Sequence, residues 1–256
     1  MSKIRTAFEQ GKAFIGFITA GDPSIEKTEE FVLELAKAGT NLIEIGIPFS
    51  DPIAEGPVIQ RANIRALSAG ATVSKIFALV ERLRGRIQTP IVFLTYLNPV
   101  FHYGYEAFFR RCRETRVDGI IIPDLPFEEQ EEVRSVAQGY GVDLISLIAP
   151  TSRQRIAGIA AAAEGFLYIV SSLGVTGIRG AIETDLAAMV KAARVTARVP
   201  LAVGFGINTP AQAGEIARIA DGVIVGSAIV KIIEEHRENA GPYIYEYAGK
   251  MKAALQ

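Results

Sequence analysis

The sequence is poor in the residues most reactive centres depend on. A single cysteine, Cys112, stands among 256 residues, so no internal disulfide can form and a reducing compartment is expected. Arg110, Arg111 and Arg113 flank it and would favour a thiolate at an exposed site. In such a helix-like stretch the plainer reading is a cysteine without a role. Only two histidines are present, His102 and His236, far apart and without ligand spacing, so no metal centre is expected. His102 falls in a loop, and His236 ends a helical stretch, where a cation complements the dipole. No lysine lies in an apolar strand-like run, which argues against Schiff-base chemistry. Neither sign of charge dominates: 27 basic residues face 28 acidic ones. That leaves no electrostatic footprint for nucleic acid or an anionic membrane. No run reaches the ~18 apolar residues of a membrane span. The N-terminal stretch lacks the apolar core and small-residue cleavage site of a signal peptide, so a cytoplasmic protein is expected.

What is present is a large apolar fraction, 49% of residues with mean hydropathy +0.25. It is distributed as short apolar runs alternating with amphipathic ones. Strands are expected near 13–19, 42–47, 91–96, 119–122, 143–148, 166–171, 201–204 and 222–225. Helical patterns fall near 25–38, 73–84, 105–116, 127–140, 152–163, 182–195, 210–219 and 228–235. Start signals such as Asp22-Pro23-Ser24 and Asn208-Thr209-Pro210 precede helices, and Gly39, Gly85 and Gly141 follow them. Eight strand–helix units without a linker or charge block predict parallel pairing and right-handed crossovers. At this length they predict one α/β domain over residues 1–256, a (β/α)₈ TIM barrel. An extra N-terminal helix (3–10) and an extra C-terminal helix (243–255) would close its ends.

In such a barrel the active site lies at the carboxyl ends of the strands. The stretch 42–60, LIEIGIPFSDPIAEGPVIQ, places an acid there. Strand alternation puts Leu42, Glu44 and Gly46 on the interior face and Ile43, Ile45 and Ile47 against the helices. Burying an unpaired carboxylate is costly. Glu44 is therefore either a carboxylate satisfied by backbone amides or a serine, or a general acid/base with a raised pKa. Asp51 and Glu55 follow in the loop; Ser50-Asp51-Pro52 is a good turn in its own right, and Glu55 stands out only because it neighbours Glu44. Glycine-bearing turns follow the last three strands: GVTG at 174–177, GFGIN at 204–208 and Gly226-Ser227. Glycines there let backbone N–H groups approach an anion, which points to a phosphorylated substrate. Phe17, Tyr96, Phe127, Tyr168 and Phe205 fall at or near strand ends. Barrel core is their simplest role, but together they also suit a flat apolar ligand.

These motifs resemble one family, the α subunit of tryptophan synthase. The match runs through Gly21-Asp22-Pro23, the 42–60 stretch, PDLP at 123–126, GVTG at 174–177 and GFGI at 204–207, in order and across the whole chain. The resemblance implies a metal-free, cofactor-free lyase that cleaves indole-3-glycerol phosphate to indole and glyceraldehyde 3-phosphate in L-tryptophan biosynthesis. It implies Glu44 as the acid/base at indole C3 and the glycerol hydroxyl, and Glu55 as the second acid at the indole N–H. It further implies Tyr168 beside Glu44, Phe17 and Phe205 on the indole, and Tyr96 among the substrate-binding residues. Gly177, Gly206, Gly226 and Ser227 would hold the phosphate, and Thr176 would sit in a loop closing over the site. The expected partner is a pyridoxal-phosphate-bearing β subunit in an α₂β₂ heterotetramer, docked on 52–57 and 98–103 with Phe101 and Tyr103 as anchors or local packing. A free-standing indole-3-glycerol-phosphate lyase is the alternative. Two positions depart from the better-known pattern. Glu55 replaces Asp, moving the carboxylate by about 1.5 Å, one carbon–carbon bond, and Ser172 stands where Arg is familiar.

Overall fold

A computed structural model describes residues 3–152, 154–171 and 186–256. Its strands are β1 (Ala13–Thr19), β2 (Leu42–Gly46), β3 (Ile91–Leu94), β4 (Gly119–Ile121), β5 (Asp143–Ile145), β6 (Leu147–Ile148), β7 (Leu167–Val170), β8 (Leu201–Gly204) and β9 (Gly222–Val225). The described helices are α1 (Ile25–Lys37), α2 (Pro57–Ser68), α3 (Val73–Arg84), α4 (Leu97–Tyr103), α5 (Tyr105–Thr115) and α6 (Glu131–Gly139). They continue with α7 (Ile156–Ala161), α8 (Leu186–Arg194), α9 (Pro210–Ala217), α10 (Ser227–His236) and α11 (Gly241–Ala253). Among the described residues none of these helices is long and apolar enough to cross a membrane.

The sheet is parallel throughout and runs β5-β4-β3-β2-β1-β9-β8-β7-β6. Its two outer members are consecutive pieces of one strand. The expected fifth strand is interrupted at Ser146: β5 pairs with β4, β6 pairs with β7, and the Ser146 carbonyl accepts from Tyr168 N at 3.0 Å. The ring thus closes as a barrel, the expected α/β architecture, with the fifth strand divided between two neighbours.

Alternation sorts the side chains as strand geometry requires. Ile15, Leu42, Val92, Ile121, Ile145, Tyr168, Ala202 and Ile224 fill the interior. Ile43, Ile45, Phe93, Ile169 and Val203 face outward and pack with helix residues such as Phe31, Leu35 and Phe77. A 3₁₀ turn, Ile4–Phe8, plugs the amino end of the barrel, with Ile4 and Ala7 buried against the interior residues. Glycine is needed beneath that plug. A Cβ on Gly119 would lie 2.8 Å from Ile4 Cδ1. The expected C-terminal helix is α11, beginning two residues earlier than read.

Two helices were not legible in advance. Residues 97–104 read as a loop, but α4 occupies most of it, its first N–H (Leu97) donating to Asp124 Oδ1 at 2.9 Å from the PDLP turn. Residues 48–60 read as an irregular loop, but α2 begins within it, with Pro57 at its first position. Cys112 is fully buried on α5. Burial pushes its thiol well above the ordinary value, so it packs as a small apolar side chain.

Below the site, Arg84 and Asp118 join α3 to the starts of β3 and β4. Arg84 Nη2 donates to Asp118 Oδ2 at 2.7 Å and Nη1 donates to the Thr89 carbonyl at 2.7 Å. Asp118 Oδ2 also accepts from Ile91 N at 3.0 Å. Both side chains are buried.

Candidate active site

Glu44 lies on the interior face of β2, in register with Phe17 on β1 and Val92 on β3. It is 1% exposed, and its Oε2 finds no hydrogen-bond partner among the described residues. The serine-or-amide reading of this carboxyl therefore lacks a partner for that oxygen. Burial, reinforced by the like charge of Glu55, pushes its pKa up to about 8. At neutral pH Glu44 is a protonated acid in a dry wall.

Glu55 is buried as well, and is held from three directions. Asn63 Nδ2 on α2 donates to Glu55 Oε2 at 2.8 Å, Gln60 Nε2 donates to the Glu55 carbonyl at 2.8 Å, and the neighbouring Ala54 N donates to Tyr96 Oη at 3.1 Å. Burial raises the Glu55 carboxyl to about 7, opposed by the Asn63 hydrogen bond. Glu55's charge in turn helps keep the Tyr96 phenol protonated, after burial as the larger cause. Tyr96 thus anchors the loop as well as lining the barrel mouth, with Phe49 tilted against it at 5.3 Å between ring centroids.

Phe17 and Tyr168 lie beside Glu44, and Phe205 packs on Tyr168. Phe17 fits only because its neighbours lack side chains: a Cβ on Gly46 would lie 2.7 Å from Phe17 Cζ, and one on Gly226 would lie 3.2 Å from its Cδ1. Ile59 and Ala62 of α2 and Val230 of α10 complete the packing on Phe17. Tyr168 meets Phe205 edge-to-face at 6.0 Å, and a Cβ on Gly204 would strike its ring. Burial first, and then the charge of Glu44, hold the Tyr168 phenol well above its ordinary value. Phe205 and Gly206 both have positive φ, 76° and 79°, so the chain turns sharply as it leaves β8. For Phe205 that conformation is strained. Ser171 Oγ secures it by donating to the Phe205 carbonyl at 2.5 Å. Gly226 and Ser227 open α10, whose amino end carries no side-chain cap. Such an end presents backbone N–H groups and a positive dipole to an anion. Thr176 and Gly177, with Ser172, lie outside the described residues.

Several candidates stand apart. Asp51 is exposed and accepts from Ser50 Oγ at 2.5 Å. His102 is exposed on α4, and His236 stacks on Tyr243 at 3.6 Å. Among the described residues no three His, Cys, Asp or Glu side chains gather in a way that could hold a metal ion. The two aromatic anchors separate: Phe101 is 68% exposed, whereas Tyr103 packs on Phe77 and Phe108 at 5.7 and 5.8 Å. Ile53, on the loop carrying Glu55, is 76% exposed. Asn63 went unread in the sequence. A polar residue fully inside an otherwise amphipathic helix was the available signal, but α2 itself was not expected.

Residues 4–256 match the family described as tryptophan synthase alpha chain. The tryptophan synthase alpha chain of Lactiplantibacillus plantarum is 50% identical over 256 residues, covering 100% of this chain and 97% of the relative. That of Lacticaseibacillus casei is 48% identical over 255 residues, covering 100% and 96%. Among solved structures, tryptophan synthase subunit alpha from Legionella pneumophila superposes with a TM-score of 0.90 at 36% identity, covering 100% of this chain and 98% of that one. A chain of the tryptophan synthase complex from Pyrococcus furiosus gives a TM-score of 0.87 at 34% identity, covering 95% and 98%. With a buried acid at the carboxyl end of a closed parallel barrel and a match of this extent, the chain belongs to the tryptophan synthase α chain family, the lyase subunit of L-tryptophan biosynthesis.

Proposed function

We propose that Glu44 and Glu55 carry the lyase reaction on indole-3-glycerol phosphate, Glu44 as the proton donor and acceptor and Glu55 as the anion beside the indole nitrogen. The observation that carries this reading is the buried, interior Glu44 with an orphaned oxygen, whose burial favours the protonated form. Its proton goes to indole C3, which leaves positive charge on the ring nitrogen. The carboxylate so formed then takes the proton of the glycerol hydroxyl next to C3. As that oxygen becomes a carbonyl, the carbon–carbon bond breaks and its electron pair returns to the ring, giving indole and glyceraldehyde 3-phosphate. Each proton given is regained, so Glu44 ends as it began. Glu55, titrating lower, supplies negative charge where positive charge develops. Phe17, Tyr96, Tyr168 and Phe205 supply flat apolar walls. The backbone of Gly206 and the amino end of α10 at Gly226 and Ser227 suit the phosphate; by the family resemblance Gly177 belongs with them and Thr176 belongs to the loop that closes over the site.

The partner in this reading is a β subunit, as the likeness to a chain of the Pyrococcus furiosus complex supports. The exposed Phe101 and Ile53 are the apolar anchors we assign to that contact, in an α₂β₂ assembly within the cytoplasm. Pyridoxal phosphate would belong to the partner's site. The test is indole release from indole-3-glycerol phosphate by the purified chain, with and without β subunit. Full turnover without any partner would favour a free-standing lyase.

Two expectations arise from the site. Turnover should follow a narrow bell against pH, because the acid pair titrates near 7 and 8 and needs one proton between them. A flat profile from pH 6 to pH 9, measured as kcat/KM, would contradict it. Glu55→Asp should retain cleavage but lower kcat by roughly tenfold, because the shorter side chain draws its carboxylate about 1.5 Å away from Asn63. From sequence alone, Asp at this position is expected to be tolerated or better; the 2.8 Å bond to Asn63 reverses that expectation. Steady-state kinetics of the variant decide between them.

A further inference from the structure

Among the described residues, a four-membered ionic assembly lies behind α2. Arg65 grips Asp22 with two prongs, Nε to Oδ1 at 2.8 Å and Nη2 to Oδ2 at 2.6 Å. Asp22 is fully buried in the turn that leaves β1. A third contact runs from Arg65 Nη1 to Glu234 Oε1 on α10, at 3.0 Å. Arg61, one helical turn earlier, holds both oxygens of the same Glu234, at 2.7 and 2.9 Å. These bonds hold the Glu234 carboxyl down to about 2, with Arg61 the larger cause.

Ile59 and Ala62 pack the start of α2 on Phe17, but toward its other end the apolar face is a weak guide to position. Toward Gly21 it offers Ala66, with Ala71 just beyond the helix, so small surfaces meet a glycine. Such faces lack the knobs that fix rotation and axial placement in helix packing. The directional bonds of Arg65 supply that specification. Asn63 lies two residues before Arg65, about 200° around the helix axis. The two side chains therefore point to opposite sides: one holds the scaffold while the other donates to Glu55.

We infer that Arg65 is a positioning residue, whose clamp on Asp22 and Glu234 sets α2 so that Asn63 delivers its hydrogen bond to the carboxylate of Glu55. This rests on the reading of Glu55 as the second acid. Slippage of α2 by a fraction of an ångström is felt at that bond, because reacting groups tolerate little misplacement. The titratable groups facing Glu55 are Glu44 and Tyr96, and Asn63 is the neutral donor favouring its ionised form. Loss of the clamp therefore raises the pKa of Glu55 and moves the acidic limb of the rate profile upward.

A double-mutant cycle tests the inference. Asn63→Ala and Arg65→Met are measured singly and together for kcat, KM and pH profile on indole-3-glycerol phosphate, with thermal unfolding as the folding control. Each single change is expected to lower kcat by about tenfold, the scale of groups that orient a reacting residue. The double variant should lose little more than Asn63→Ala alone, because both act through one bond. Multiplied losses of about a hundredfold, or an acidic limb that does not move in Arg65→Met, would overturn the inference. Because Arg65→Met leaves Asp22 buried without a partner, two further backgrounds keep the test open. One is Asp22→Asn with Arg65→Met; the other is Glu234→Gln, which keeps the Asp22 pair. In both, the loss should vanish when Asn63 is already alanine, and persistence of the loss would count against the clamp. Glu55→Gln separates the two failures. If that variant turns over normally, the role of Glu55 and the clamp fall together. If it is inactive and the cycle is additive, only the clamp falls.

Discussion

Glu44→Gln is expected to make the protein more stable, and more so at pH 8 than at pH 5. In the folded chain this carboxyl holds its proton to about pH 8, whereas its ordinary value is 4.5. Between those values the unfolded chain releases a proton that the folded chain keeps. Stability contributed by the group is complete below pH 4.5 and is lost as pH rises toward 8. Gln keeps the shape of the neutral acid and has no proton to lose. The gain of the variant over the parent should therefore grow by on the order of 3 kcal/mol across that window. Denaturant unfolding of both proteins at pH 5 and pH 8 measures it. Parallel pH dependence in the two proteins would show that Glu44 is not held protonated by burial. A residue whose removal stabilises the fold is held for its chemistry, and the same substitution should abolish most of the turnover.

The second large effect lies at the opposite end of the barrel. Asp118→Ala should cost about 3–5 kcal/mol, because it leaves the Arg84 guanidinium buried without its counter-charge and frees the Ile91 N–H. For a chain of this size the melting temperature should fall by roughly 10 °C. The double variant Arg84→Met with Asp118→Asn should recover most of that loss. It removes the stranded charge and keeps an acceptor for Ile91. Turnover per folded molecule should stay within about twofold, since neither residue approaches the site. A loss below about 1 kcal/mol in Asp118→Ala would mean that water or neighbouring groups already satisfy Arg84.

The two effects also mark what the sequence discloses. Glu44 was legible because one carboxylate interrupts a strand whose other face is isoleucine, and strand alternation alone sends it inward. The glycine turns stood out in the sequence because glycine permits the close backbone approach an anion site needs. Gly226, from the last of those turns, also makes room for Phe17, as does Gly46 at the end of β2. The resemblance, and not the pattern, supplied the identity of the substrate. By contrast, α2 was hidden by its polar residues. The loop expected over 48–60 stopped at Gln60 and no element was expected over 61–72, yet Gln60, Arg61, Asn63 and Arg65 each have a partner on another segment or on the site loop. The partner of Arg65 sits 43 positions away, beyond any local pattern. The division of the fifth strand at Ser146 was hidden for a similar reason. Its cause is the switch of pairing from β4 to β7, which is a property of the closed ring.

Cleavage of indole-3-glycerol phosphate is assigned to a buried, protonated Glu44. Its most direct test is the rate of indole release by the parent and by Glu44→Gln, at saturating substrate, with β subunit supplied to both. Release by the parent is expected, with a fall of about a hundredfold or more in the variant, the scale of acid–base catalysis. Indole release by Glu44→Gln at the parent's rate would contradict it.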